Sequence, residues 1–216
     1  MAIPVLVIGR SGSGKTYSLK NFKADEVGVV SVEKGRLPFR SDIKVLKVPK
    51  DPTDGEGDAG VVNAAKYTWV LSVIRKAKAK AVVIDDSQFM LLNEFCDRAS
   101  ERGYDKFTHI ALHFRDLIHA INEMEDDDKI VYFLHHSEID SDGREKVKTV
   151  GKMLDEKLSI EGLFDIVLYC QDHKFFTQAN GQSTAKSPEG MFDLEIPNDL
   201  KMVDTKIREY YGMEGK

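Results

Sequence analysis

Residues 9–16 read Gly-Arg-Ser-Gly-Ser-Gly-Lys-Thr and follow directly on the apolar run Ile3, Val5, Leu6, Val7 and Ile8. The pattern G-x-x-x-x-G-K-[ST] behind a strand constrains the chain more than any other feature. Gly9, Gly12 and Gly14 let the main chain curl so that successive N–H groups point at phosphate oxygens at a helix N-terminus, closer than side chains would allow. Lys15 brings a cation to the β- and γ-phosphates, and the Thr16 hydroxyl helps to complete a Mg²⁺ shell that keeps several waters. ATP and Mg²⁺ are the expected cofactors, held by Gly9, Arg10, Ser11, Gly12, Ser13, Gly14, Lys15, Thr16 and Tyr17. A plain Gly/Ser-rich turn is the weaker alternative.

A chain of 216 residues, 42% hydrophobic and 31% charged, can bury the core of one α/β domain, so residues 1–216 are expected to form a single unit. The net charge of -5 excludes a broadly basic surface, and any nucleic-acid contact must come from a local patch. Cys96 and Cys170 are isolated, without a C-x-x-C pair, as in a reducing cytosol. The apolar start has no basic leader and reads as a core strand. No apolar run reaches the roughly 18 residues of a membrane span. A cytoplasmic protein is expected.

Along the chain, a first helix is expected at about Lys15–Phe22, then strands at Val27–Val32 and Ile43–Val48. Two prolines, three glycines and four acids make Pro49–Gly60 a long exposed loop. Val61–Lys78 has helical character, with Val62, Ala65, Trp69, Ser72 and Val73 near one face and cations at its end. Ala81–Asp85 reads as a buried strand, followed by helices near Phe89–Arg102 and Phe107–Met124 and a second buried strand, Ile130–Leu134. On the second of these helices, Leu112, Leu117 and Ile121 lie at core spacing. A helix over Lys152–Glu161 leads to a strand at Asp165–Cys170. Asn180-Gly181 then signals a tight hairpin between Lys174–Ala179 and Gln182–Lys186, and a last helix covers about Asp199–Tyr211. The alternation predicts a mainly parallel sheet with helices on both faces and a C-terminal hairpin.

Asp85 ends a strand of four apolar residues, where a carboxylate can hold Mg²⁺ through water. Asp86 or Ser87 can cap the next helix. Glu33 stands past the end of the strand Val29–Val32, at the sheet edge where ligands gather in open α/β folds, and can orient an attacking water. His135 and His136 end another strand at that edge, and either can donate to the γ-phosphate. His109 and His113 lack the glutamate of H-E-x-x-H and read as helix-surface residues. The loop from Ser137 to Lys152 carries Arg144, Lys146, Lys148 and Lys152 against Glu138, Asp140, Asp142 and Glu145. It is the candidate contact for DNA, and equally an exposed mixed-charge loop.

Together, the phosphate loop, Glu33, Ile84-Asp85-Asp86-Ser87 and Phe133-Leu-His-His136 resemble the RecA-like ATPase core. More closely, the whole chain is similar to phage-encoded nucleotide-binding proteins of that superfamily, some of which are single-strand annealing proteins of recombination. The resemblance implies a three-layer RecA-like core and a Mg²⁺-dependent ATPase that binds single-stranded DNA in the cytoplasm of a bacterial host. It also implies self-association and a single-strand-binding protein as partner. It casts Glu33 as the water-activating residue, Lys15 as a catalytic cation and His136 as the γ-phosphate sensor in place of a glutamine. Lys186, or Lys174 nearby, becomes a basic finger toward a neighbouring subunit. RecA proteins carry a segment ahead of the first strand that adds to the adjacent subunit, whereas here the strand begins at residue 3.

Other readings remain. A small-molecule kinase would need an arginine-rich lid, for which only Arg98 and Arg102 offer a start. A GTPase would need Asn-Lys-x-Asp, which is missing. A scaffold or regulatory subunit that binds ATP without hydrolysing it would share the loop.

Overall fold

Four strands of this chain consist almost wholly of buried apolar residues, which is the signature of a sheet covered on both sides. The computed structural model describes residues 1–150 and 159–213. Its strands are β1 (Ile3–Gly9), β2 (Val27–Ser31), β3 (Val45–Lys47), β4 (Ala81–Asp85), β5 (Ile130–Ile139), β6 (Glu145–Val147), β7 (Ile166–Gln171), β8 (Lys174–Phe176) and β9 (Glu195–Pro197). Its α-helices are α1 (Ala59–Lys76), α2 (Gln88–Asp97), α3 (Asp105–Asn122) and α4 (Leu200–Tyr211), with short 3₁₀ turns at Thr16–Asn21 and Ile160–Leu163.

The sheet runs β3-β2-β4-β5-β1-β7-β8-β9. Neighbours from β3 to β7 are parallel, β8 and β9 are antiparallel, and β6 pairs with β5 alone. Side chains alternate between two cores, as the period-2 geometry of a strand requires. Leu6, Ile8, Val82, Ile84, Val131 and Phe133 pack with α1, α2 and α3 on one face. Val5, Val7, Val83, Tyr132 and Leu134 pack with Leu19, Leu200, Val203 and Ile207 on the other. The three-layer, mainly parallel α/β core expected from the sequence is present, whereas the C-terminal hairpin lies elsewhere than expected. Among the described residues, no helix is long and apolar enough to cross a membrane.

Several elements differ from expectation for identifiable reasons. The hairpin joins β7 to β8 through Asp172 and His173, both left-handed at φ 48° and 57°, and not through Asn180-Gly181. Two left-handed residues give the twist that a two-residue hairpin connection needs, even without glycine. Asn180 is spent on an Asx turn, its side chain accepting from Gln182 N–H. The residues after it bridge to Glu145 and Val167. The first helix is a six-residue 3₁₀ turn, because Ser18 bonds back to the Lys15 carbonyl through both its N–H and its hydroxyl. Strand β5 does not stop at Leu134 but continues to Ile139 and forms a hairpin with β6, so Ser137–Ile139 and Glu145–Val147 of the expected Ser137–Lys152 loop are strand. The buried residues of α1 are Asn63, Tyr67, Val70 and Ile74, one position from the expected face. Leu112 is 37% exposed, and the α3 core is Ile110, Phe114, Leu117, Ile118 and Ile121. Most of the helix expected over Lys152–Glu161 lies outside the described residues.

Candidate nucleotide site

Register brings the chemistry to one edge. Gly9 is paired with His136 across β1 and β5, and Ser31 with Asp85 across β2 and β4, so the carboxyl ends of β1, β2 and β4 gather at one edge beside His136, while β5 runs on past it. Strand β5 lies between β1 and β4, which places His136 between the phosphate loop and Asp85.

The loop itself is built so that its carbonyls are occupied. Lys15 Nζ donates to Gly9 O at 2.7 Å and to Arg10 O at 2.9 Å. Ser13 O accepts from His173 N–H and from the Cys170 thiol, while Gly14 O accepts from Asn198 Nδ2 at 2.9 Å. Ser13 N–H is itself spent on Arg10 O, so an anion would be met by the other main-chain N–H groups of the loop. Two glycines are required by contact, and the second of them by torsion as well. A Cβ at Gly9 would sit 2.5 Å from Cys170 O, and one at Gly14, whose φ is +104°, would sit 2.6 Å from Asn198 Nδ2. Because the element after the loop is a short 3₁₀ turn, the helix dipole expected at this point is reduced. The loop N–H groups and Lys15 carry the attraction.

Thr16 Oγ1 donates to Asp85 Oδ1 at 2.8 Å, joining the loop to the end of β4. Burial pushes the Asp85 carboxyl up to about 6, against the pull of the Thr16 hydroxyl and the Lys15 charge. Burial also lowers the Lys15 ammonium to about 8, although Asp85 and Asp86 oppose it. A buried ammonium held mainly by carbonyl dipoles is a site that gains from an anion. Ser13 Oγ is buried with no partner among the described residues. These features fit a triphosphate. The hard oxygens of Thr16 and Asp85 suit Mg²⁺, which takes few protein ligands and keeps waters and phosphate oxygens.

Asp86 has a left-handed backbone, φ 60°, unusual for a non-glycine residue and found where a site fixes a side chain. His136 Nε2 lies 3.4 Å from its carboxylate, and that hydrogen bond holds the Asp86 carboxyl below its ordinary range. A cavity of about 280 Å³ is lined by Gly12, Lys15, Thr16, Lys34, Asp86 and His136, with Tyr17 and His173 at its margin.

The two histidines of β5 have separate fates. His136 lines this cavity. His135 is fully buried, its Nε2 2.7 Å from Lys148 O and its Nδ1 3.0 Å from Ser87 Oγ. A carbonyl only accepts, so Nε2 carries the hydrogen, and Nδ1 faces the Ser87 hydroxyl, whose one hydrogen is shared between that nitrogen and Leu134 O. Burial drives His135 down to about 3 and keeps it neutral. It is a structural strut.

Glu33 stands two residues beyond β2 and lines a different cavity, of about 340 Å³, together with Lys47, Lys66 and Tyr67. Lys186 bridges to Val167 through its backbone, and Lys174 pairs with Glu195. On the β5–β6 hairpin, Arg144 pairs with Asp140 and Asp142, and Lys146 with Glu138. Lys148 is exposed, and Lys152 lies outside the described residues. Arg10 of the loop pairs with Glu145 at the start of β6, which ties the hairpin to the phosphate loop. His109 and His113 are not free surface residues: they meet Arg98 at 3.1 Å and the fully buried Glu94 at 3.0 Å between α2 and α3. Arg98 is committed to Glu94 and Glu101, so it cannot serve as a kinase lid.

Sequence reasoning missed Asp86, Lys34, His173 and Asn198. The two adjacent acids after β4 were a signal for Asp86. His173 and Asn198 gave none, since they reach the loop only through tertiary packing.

A family model described as an AAA domain matches residues 1–208. Among solved structures, a KaiC-like protein from the hyperthermophilic archaeon Pyrococcus horikoshii OT3 aligns over 77% of this chain and 71% of that one, with 14% identity and a TM-score of 0.46. No curated protein matches. The matched span takes in the phosphate loop, Asp85, His136 and Asn198, and on that extent the chain belongs to the AAA domain family, a family of P-loop ATPase domains.

Proposed function

We propose that this chain hydrolyses ATP with Mg²⁺ and couples that reaction to single-stranded DNA in annealing or recombination. The observation that carries the hydrolytic part is the Thr16–Asp85 contact beside the buried Lys15 ammonium. It joins a hard-cation site to an anion site at one sheet edge. Lys15 and the loop N–H groups hold the β- and γ-phosphates, and Thr16 with Asp85 holds Mg²⁺. The metal supplies neutralisation of charge building on the transferred phosphoryl group. Asp86 and Glu33 are the two carboxylates at that edge able to orient water. Asp86 is favoured, because it lines the same cavity as Lys15, Thr16 and His136. His136 bonds to Asp86 and sits at the root of the β5–β6 hairpin, as a residue reporting on the γ-phosphate should.

The DNA part is supported by the resemblance to phage RecA-like proteins and by the hairpin's place. The hairpin springs from the γ-phosphate side and is tied to the loop through Arg10 and Glu145. Arg144 and Lys146 of the hairpin and Lys148 just past it are the cations that meet DNA, the first two exchanging their carboxylate partners for phosphates, and Lys152 follows them in sequence. Self-association, with Lys186 or Lys174 reaching a neighbouring site, a single-strand-binding partner and action in a bacterial cytoplasm complete the reading.

Phosphate release measured with and without single-stranded DNA tests it. Hydrolysis that rises with DNA is expected. Hydrolysis indifferent to DNA would remove the coupling, and tight nucleotide binding with no release would make the chain a non-hydrolysing ATP-binding subunit.

A further inference from the structure

The cations of this acidic chain are not spread evenly. Residues 34–50, which join β2 to β3 and run just past it, hold Lys34, Arg36, Arg40, Lys44, Lys47 and Lys50 against Asp42 alone, in a protein of net charge -5. All six cations are exposed, and none has an ion-pair or hydrogen-bond partner through its side chain among the described residues. The β5–β6 hairpin differs: Arg144 is held by Asp140 and Asp142, and Lys146 by Glu138. An anion that reaches the hairpin must displace carboxylates already in place. One that reaches the β2–β3 segment displaces only water and counterions.

Folding fixes where these charges stand. Ile43 is buried in the core on the α4 side and Leu37 and Phe39 pack against it, while Arg36, Arg40 and Lys44, which alternate with these anchors in sequence, remain exposed. The backbone is thereby pinned at three points, so binding an extended anion orders few residues anew. At one end of the segment, Lys34 and Pro38 line the phosphate cavity, and the Lys34 charge acts on the Asp85 and Asp86 carboxyls. Farther along, Lys44 shares a groove of about 570 Å³ with Lys76 and Lys78 from the end of α1, Asp42 being the lone acid there. Positive charge thus extends from the nucleotide edge along β3, the outer strand of the sheet.

Guarding an edge strand accounts for Lys44 and Lys47, and the helix dipole for Lys76. Lys34, Arg36, Arg40 and Lys50 lie outside any strand or helix and have neither task. The acids that follow are engaged locally: Asp51 accepts from the Thr53 and Gly55 N–H groups, and Asp58 caps α1 through Val61 N–H. A small anion would occupy one or two of these cations, whereas a chain of repeated negative charges can use them all. Resting on the reading that this ATPase works on single-stranded DNA, we propose that the β2–β3 segment, more than the β5–β6 hairpin, holds the phosphate backbone, with Arg36, Arg40 and Lys44 at the centre of the contact.

Fluorescence anisotropy of a labelled single-stranded oligonucleotide at several salt concentrations tests this on the wild type, on Arg36→Gln/Arg40→Gln/Lys44→Gln and on Arg144→Gln/Lys146→Gln. None of the three segment residues lines the phosphate cavity, so Mg·ATP affinity should be unchanged in the first variant and certifies its fold. Wild-type affinity should fall with salt at a logarithmic slope of about 4, near 0.7 for each of six phosphates. The segment variant should bind at least about tenfold more weakly at ~0.1 M salt, with a slope lower by about 2, and the hairpin variant should lose no more than about threefold. A segment loss no larger than the hairpin loss would overturn the proposal and leave the hairpin as the DNA contact. A wild-type slope under about 2 would overturn it without recourse to either variant. No binding of the oligonucleotide by protein that still takes Mg·ATP would bring down the DNA part of the proposed function, and this inference with it.

Discussion

Lys15, held by the Gly9 and Arg10 carbonyls, and Asp85, held by the Thr16 hydroxyl, have their charges partly suppressed by burial, and that sets a pH window. With the Lys15 ammonium lowered to about 8, an alkaline solution strips the charge that a triphosphate needs, so affinity should fall as pH rises through 8. With the Asp85 carboxyl raised to about 6, protons compete with Mg²⁺ as pH falls through 6. Titrations of Mg·ATP from pH 5 to 9.5 should trace a plateau between those values, and a flat profile would contradict the assignment. Lys15→Ala should abolish measurable nucleotide binding. Asp86→Asn should bind ATP within a fewfold of wild type and lose about a hundredfold or more in turnover, the scale of general-base catalysis, whereas Glu33→Gln should lose less. The reverse ranking in single-turnover assays would return the role to Glu33. That the loop glycines, Lys15, Thr16 and Asp85 share one edge was legible in the sequence, because the loop follows one apolar strand and Asp85 ends another. Asp86 was half legible, its left-handed backbone being invisible in the letters.

At the scale of elements, continuous apolar runs gave away β1, β4, β5 and β7, since a strand buried on both faces has no room for polar residues. Helix α1 was harder to read. Valines and alanines surround it on several sides, and its buried stripe includes Asn63 and Tyr67, so counting apolar residues put the stripe one position off. The β7–β8 turn was missed because Asn180-Gly181 carries the stronger local signal, yet Asp172 and His173 bear the left-handed torsions. Replacing Asp172 and His173 together by Asn-Gly should stabilise the fold by about 1–2 kcal/mol, since both positions suit those residues better. The same change should weaken nucleotide binding through loss of the His173 ring. Denaturant midpoints and calorimetry would measure the two effects. The β5–β6 hairpin rests on neutral His135, whose folded pKa of about 3 lies below its ordinary 6.5. The unfolded chain then binds the extra proton between those values, so this residue's contribution to stability is intact above 6.5 and drains away as pH drops toward 3. Asp85, raised in the folded state, acts in the opposite sense between 3.8 and about 6. Comparing wild type with His135→Gln across that range isolates the histidine: the variant should have the flatter acid limb.

For the whole molecule, two cores on either side of one sheet hold the candidate nucleotide edge in place. Mg·ATP at a hundred times its dissociation constant should add about 2.7 kcal/mol of stability, a rise of roughly 5–10 °C in melting temperature for a chain of this size. No shift would argue against a preformed site. The bond from Asn198 to Gly14 spans 184 positions of sequence. One consequence concerns timing on the ribosome. The glycine-rich loop leaves the ribosome well ahead of the residue that pins it. The cradle therefore stays unfinished while the chain between them is translated, and it closes only when the segment carrying Asn198 has docked against the loop.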